Sequence, residues 1–304
     1  MEEKHSIFKK IHTDRFKWHD AIVFTVFLTF FLMIVGSNIG YLITGELLGG
    51  LTANDRTGFA TISLEYFTFI GLWIAFTLYC FIVKKNKPIL KTIWTKAPGN
   101  TIKMLLIGLL VGFGTNLFCA ICAMINKDIH IHYDSFPILQ LIVIFLCVFV
   151  QSSAEELICR GFMYQRLRKA YRHPAVAIIV NSALFAFIHI FNPGVSALAI
   201  LDIFITGIFF SLVVYYTDSL WCAFAIHAAW NYMQNIILGL PNSGIVSPYS
   251  IFKLDATTAK DSFAYSVAFG LEGTILAVTV MALCCIAVFL IYHKKNVNHY
   301  DPWN

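Results

Sequence analysis

Long apolar runs broken by short polar connections set the pattern of this chain. A helix of about 20 mainly apolar residues crosses the hydrocarbon core of a bilayer. Eight runs of that kind are present, at 20–45, 60–83, 101–125, 137–160, 174–191, 197–217, 219–240 and 268–292. Pro137, Pro174, Pro193 and Pro241 stand near their ends, where a missing N–H is tolerated. The pattern predicts an all-α fold: a polytopic membrane helical bundle of about eight transmembrane helices, one membrane domain over 1–304. The first run is too long for a signal-peptide core and no small-residue cleavage site follows it, so it is expected to remain as a span.

Charge orients the bundle. Of 22 lysines and arginines, 18 fall in the N-terminal tail, the 84–103 and 160–173 connections and the C-terminal tail. The alternate connections hold four: Arg56, Lys127, Lys253 and Lys260. Basic residues mark the cytoplasmic side, so both termini are expected to be cytoplasmic. Composition agrees. The chain is 58% hydrophobic and only 13% charged, against about 25% charged in a soluble domain. A soluble enzyme is excluded, and the net charge of +5 belongs to the connections, which leaves no nucleic-acid partner expected. All eight cysteines lie in apolar stretches and read as packing residues; Cys119 and Cys122 form a CxxC with no second pair.

Ionisable residues inside spans are costly and mark functional candidates. The fourth run ends in "SSAEELICRGF", which carries Glu155, Glu156 and Arg160. Adjacent helical residues point about 100° apart, so the two carboxylates are not expected to face one pocket. Glu156 and Arg160, four apart, can pair on one face, which leaves Glu155 free. The fifth run holds His189 in "FAFIHIFNP", and the seventh holds His227 and Asn231 on one face in "AIHAAWNYMQN". Each alone reads equally as a snorkelling charge, a packed histidine or a polar contact between helices. Together they supply a base for water and donors for an oxyanion, or a Glu155, His189 and His227 ligand set for Zn²⁺ with one open position. Asp202 either lines the cavity or bonds a neighbouring helix, and Glu65 is expected at the interface.

Three motifs then carry a resemblance. "EELICR" fits EExxxR, "FAFIH" fits FxxxH and "HAAWN" fits HxxxN. In that order on successive helices they resemble the CPBP family of CAAX proteases and bacteriocin-processing enzymes, also called Abi. The resemblance covers a four-helix catalytic core over 137–240, with 1–136 and 241–304 as accessory spans and loops. It implies an intramembrane endopeptidase. In it Glu155 and His189 hold and deprotonate water, His227 and Asn231 stabilise the oxyanion, and Glu156 and Arg160 occupy the supporting positions. The family is also named as a metalloprotease. Zinc is left open, with a metal-free route through Glu155 preferred, because no HExxH pair is present.

The resemblance further implies a peptide or protein substrate entering from the lipid bilayer. The short loops point to a bacterial cell membrane and to peptide precursors, such as a bacteriocin leader or pheromone precursor, as substrates. The alternative function is a non-catalytic scaffold or a bacteriocin self-immunity protein. Depth raises one difficulty. At 1.5 Å per residue, Glu155 lies about 7 Å from Arg160, His189 about 22 Å from Pro174 and His227 about 12 Å from Ser219. The levels meet if the fourth helix continues through "GFMYQRLRKAY" and the fifth begins in the headgroup region and tilts.

Overall fold

The structure, a computed structural model, describes residues 7–294 and 299–304. Eight helices occupy the eight apolar runs. α1 is Ile22–Leu47, α2 Phe59–Ile82, α3 Ile102–Ile125, α4 Ile138–Ala170, α5 Pro174–Ile188 and α6 Ala197–Thr217. α7 is Leu220–Asn231 continued by a wide turn over Tyr232–Ile237, and α8 is Ile275–Tyr292. Six of them, all but α5 and α7, are long and apolar enough to cross a membrane. The chain is a multi-pass, mostly helical membrane protein. α5 is shorter, at 15 residues. α7 carries His227, Asn231, Gln234 and Asn235, and is buried without a break from Cys222 to Ile236. A helix this polar is stable in a bilayer only when neighbouring helices wrap it.

Small residues let those neighbours approach. Gly108 and Gly112 of α3 lie against α7, where an added Cβ would stand 2.5 Å from Cys222 O and 2.3 Å from Ile226 O respectively. Gly36 and Gly40 of α1 make the same four-residue spacing against α2. A Cβ on Gly71 would fall 2.1 Å from Gly36 O and 2.3 Å from Gly40 N. Both are backbone atoms that no rotamer change can move away. Gly71→Ala is therefore expected to destabilise the α1–α2 crossing by about 1–3 kcal/mol, read as a lower midpoint of thermal unfolding in detergent.

α4 is the longest helix, with 33 residues. Its first half turns Leu139, Ile142 and Leu146 outward. From Gln151 to Leu167 every residue is buried except Glu155, which is partly exposed. The expected continuation of this helix is present and reaches Ala170. Glu155 now lies about 22 Å from that end, level with His189 at the end of α5, by the 1.5 Å rise. His227 is brought up differently. Segment 84–100 folds under the start of α7, where Trp221 Nε1 donates to Ile93 O at 2.7 Å and Trp221 N to Asn100 Oδ1 at 3.2 Å. α7 thus starts on top of a layer of chain rather than at the end of the bundle.

The same end gathers both described chain ends. Arg15 pairs with Asp301 at 2.5 Å, and Tyr300 N donates to Asp218 at 2.8 Å. Buried Asp20 holds Lys169 at 2.7 Å and Arg166 at 3.1 Å.

At the opposite end the space above the short α5 is filled by residues 238–274. This connection pairs one short strand, β2 (Phe252–Leu254), antiparallel with β1 (Ile131–Tyr133). Its backbone is held by polar side chains of α7. Gln234 Nε2 donates to Pro241 O at 2.6 Å, and Asn235 Nδ2 donates to Leu240 O at 3.0 Å and Ile245 O at 2.9 Å. Irregular backbone inside a membrane bundle requires such partners. Gly239, Gly244 and Gly270 supply the left-handed turns, with φ of 65°, 84° and 105°.

Candidate active site

A cavity of about 350 Å³ is lined by α4, α5, α6, α7 and the 238–274 connection, with residues of α1, α2 and α8 completing its wall. Glu155, His189, His227 and Asn231 all line it. So do Asp202 and Glu65, the latter expected at the interface, together with Glu272.

Glu155 is gripped on both sides. Gln151, one turn earlier on α4, donates Nε2 to Glu155 Oε1 at 2.7 Å. The His227 Nε2 stands 3.8 Å from Glu155 Oε2. The other ring nitrogen, Nδ1, is 3.1 Å from Glu156 Oε1. A carboxylate oxygen only accepts, so Nδ1 carries the proton of that bond. The neighbouring carboxylates face different places: only Glu155 lines the cavity, while Glu156 is fully buried. They do diverge from the helix, but the ring of His227 is inserted between them and touches both.

Glu156 and Arg160 form the expected pair at 2.9 Å, and both side chains are fully buried. Each nitrogen of the Arg160 guanidinium has a partner. Its Nη2 donates to Gly207 O at 2.9 Å. Asn181, in the amide orientation its surroundings favour, accepts from Nε at 3.3 Å. The guanidinium lies over the rings of Phe185 and Phe210, at 4.5 Å and 5.4 Å. Phe210 also stacks on His227 at 5.4 Å. The local reason is a wide π-helical turn over Leu157–Met163, a feature common at functional sites.

Glu155 and His189 make no hydrogen bond or ion pair with each other. His189 Nδ1 instead bonds Phe185 O at 2.7 Å. A carbonyl cannot donate, so Nδ1 holds the proton and Nε2 is the free acceptor. Asn231 does not point free donors at the cavity either. Its Nδ2 donates to Gln151 Oε1 at 3.1 Å and Ser152 Oγ at 3.2 Å. Gln151 therefore links Asn231 to Glu155. It was missed in the sequence, although its position four residues before Glu155 is the signal for that contact.

Among the described residues no group of three or more His, Cys, Asp or Glu is close enough to hold a metal ion. Zinc needs three protein ligands converging at about 2 Å, and Glu155, His189 and His227 do not converge in this way. The cysteines form no alternative set, and the eight are free thiols.

Residues 137–233 match the family model described as type II CAAX prenyl endopeptidase Rce1-like. That model is one of the CPBP family. The match starts one residue before α4 and ends within α7, and so contains all four candidate residues and the Glu156–Arg160 pair. No curated protein and no solved structure matches the chain. The match suggests a protease of the CAAX class and an intramembrane endopeptidase.

Proposed function

We propose that the protein hydrolyses a peptide bond within or beside the bilayer, using water activated by Glu155. One observation carries the reading. In a stretch of α4 that is otherwise wholly buried, the single partly exposed residue is Glu155, and it opens onto the cavity between Gln151 and His227.

In this mechanism Glu155 removes a proton from water as it attacks the carbonyl carbon. His189 lines the same space with Nε2 as acceptor and helps to hold that water. The tetrahedral oxyanion takes hydrogen bonds from His227 and Asn231. For His227 to donate from Nε2 while Nδ1 stays bonded to Glu156, the ring must carry both protons. For Asn231 to donate, the substrate carbonyl must displace Gln151 or Ser152 from its amide. Glu155 then delivers its proton to the leaving amine. No metal is needed in this route, which uses only groups of the chain.

All eight helices cross the membrane, and the end rich in lysine and arginine faces the cytoplasm with both termini. The membrane is a bacterial plasma membrane, and the substrates are peptide precursors, with bacteriocin leaders in the same class. A test is release of a quenched fluorophore from a peptide library by the purified protein, with metal analysis of the same samples. His189→Ala is expected to lower turnover by about 10²-fold or more. Equal turnover in wild type and variant would remove His189 from the site. Stoichiometric zinc that is lost in His189→Ala would replace the metal-free route.

A further inference from the structure

The cavity wall carries carboxylates that the hydrolysis does not use. Glu65 comes from α2, Asp202 from α6 and Glu272 from the turn before α8. Among the described residues no lysine or arginine lines this space. The three come from separate elements, so no local charge pattern along one helix explains their convergence.

Their bonding states differ. Glu272 is satisfied, accepting from Trp230 Nε1 at 3.0 Å, from Ser243 N at 2.6 Å and from Ser243 Oγ at 2.8 Å. Asp202 is not. It is 2% exposed. Its Oδ2 accepts from Gly273 N at 3.0 Å, which ties α6 to the start of α8. Its Oδ1 has no partner. A buried carboxylate oxygen without a donor is costly, and in a cavity wall it marks the place of a donor that arrives with a ligand. Glu65 is exposed at the cavity and has no ion-pair or hydrogen-bond partner.

We propose that Asp202, supported by Glu272 and Glu65, forms a subsite for a cationic side chain, lysine or arginine, on the peptide substrate. A basic residue near the scissile bond is then what selects a peptide. An ammonium or guanidinium supplies donors only, which is what Asp202 Oδ1 lacks. Away from bulk water a charge pair is screened least, so one such contact discriminates strongly against an uncharged side chain of the same length. The inference rests on the peptidase reading for the nature of the ligand, but its test does not require cleavage.

The full chain in detergent micelles is titrated with fluorescent peptide pairs that differ by lysine or norleucine at one position, scanned along the peptide. At one position the lysine member is expected to bind about tenfold tighter or more. Asp202→Asn is expected to bring the two within about twofold of each other, and Asp202→Glu to restore part of the difference. If Asp202→Asn does not fold, Glu65→Gln, at an exposed site, replaces it and is expected to reduce the ratio. A wild type that does not distinguish the pair, or a ratio that survives the variant that folds, overturns the subsite. Hydrolysis of the same peptides by wild type and Glu155→Gln is read separately. Selective binding without Glu155-dependent cleavage refutes the peptidase reading and keeps the subsite. Glu155-dependent cleavage without selectivity does the reverse.

Discussion

Glu155→Gln is expected to lower kcat by about 10²–10⁴-fold, the range for loss of a general base, while leaving the fold intact. The substitution is nearly isosteric. Gln151 Nε2 can still donate to the new side-chain oxygen, as it does to Glu155 Oε1 at 2.7 Å. The contact that is lost is the one facing His227, where Glu155 Oε2 has no hydrogen-bond partner. An amide there can neither take a proton from water nor return it to the leaving amine. Because the cavity wall is otherwise unchanged, the loss is expected in kcat more than in KM. Turnover of a cleaved library peptide, with thermal unfolding as the control, decides it. A folded variant with activity within about twofold of wild type would exclude Glu155 as the base, whatever the rest of the cavity does.

The parts of this picture that were legible in the sequence are those governed by local spacing. Six of the eight apolar runs became helices long and apolar enough to cross a membrane, because that is set by a segment's own length and hydropathy. The Glu156–Arg160 pair followed from four-residue spacing. Even the extension of α4 to Ala170 was legible, through the mismatch in depth between Glu155 and His189. What escaped is non-local. The bond from Glu156 to His227 joins residues 71 positions apart, and no helix geometry on α4 alone could show that a ring from α7 enters between the two carboxylates. The depth of His227 depends on segment 84–100 lying beneath α7, which is a tertiary fact. The backbone of the 238–274 connection is drawn into the bundle by Gln234 and Asn235 and completes the cavity, which no local spacing shows. Asp202, for which two roles were open, has both: it bonds Gly273 and lines the cavity. The glycine pairs at 36 and 40 and at 108 and 112 take their meaning only from the helix crossings.

The Glu156–Arg160 pair yields the second large effect, and a way to separate stability from positioning. Both side chains are fully buried at 2.9 Å. Arg160→Met leaves Glu156 as a buried carboxylate facing only His227, and is expected to destabilise the protein by about 3–5 kcal/mol, the usual cost of removing one partner of such a pair. The double variant Glu156→Gln with Arg160→Met removes both charges. It is expected to recover most of that stability, since replacing a whole buried pair is often close to neutral. Activity should not recover with it. The His227 Nδ1 would then face an uncharged amide instead of Glu156 Oε1 at 3.1 Å, and Phe210 would lose the Arg160 guanidinium that lies 5.4 Å from its ring while still stacking on His227. The ring would keep its place but lose the charge that favours a proton on both nitrogens during oxyanion formation. Thermal unfolding and kcat measured on the single and double variants form a cycle. If kcat returned together with stability, Glu156 and Arg160 would only hold α4 against α6; if stability returned alone, Glu156 positions His227 for the reaction.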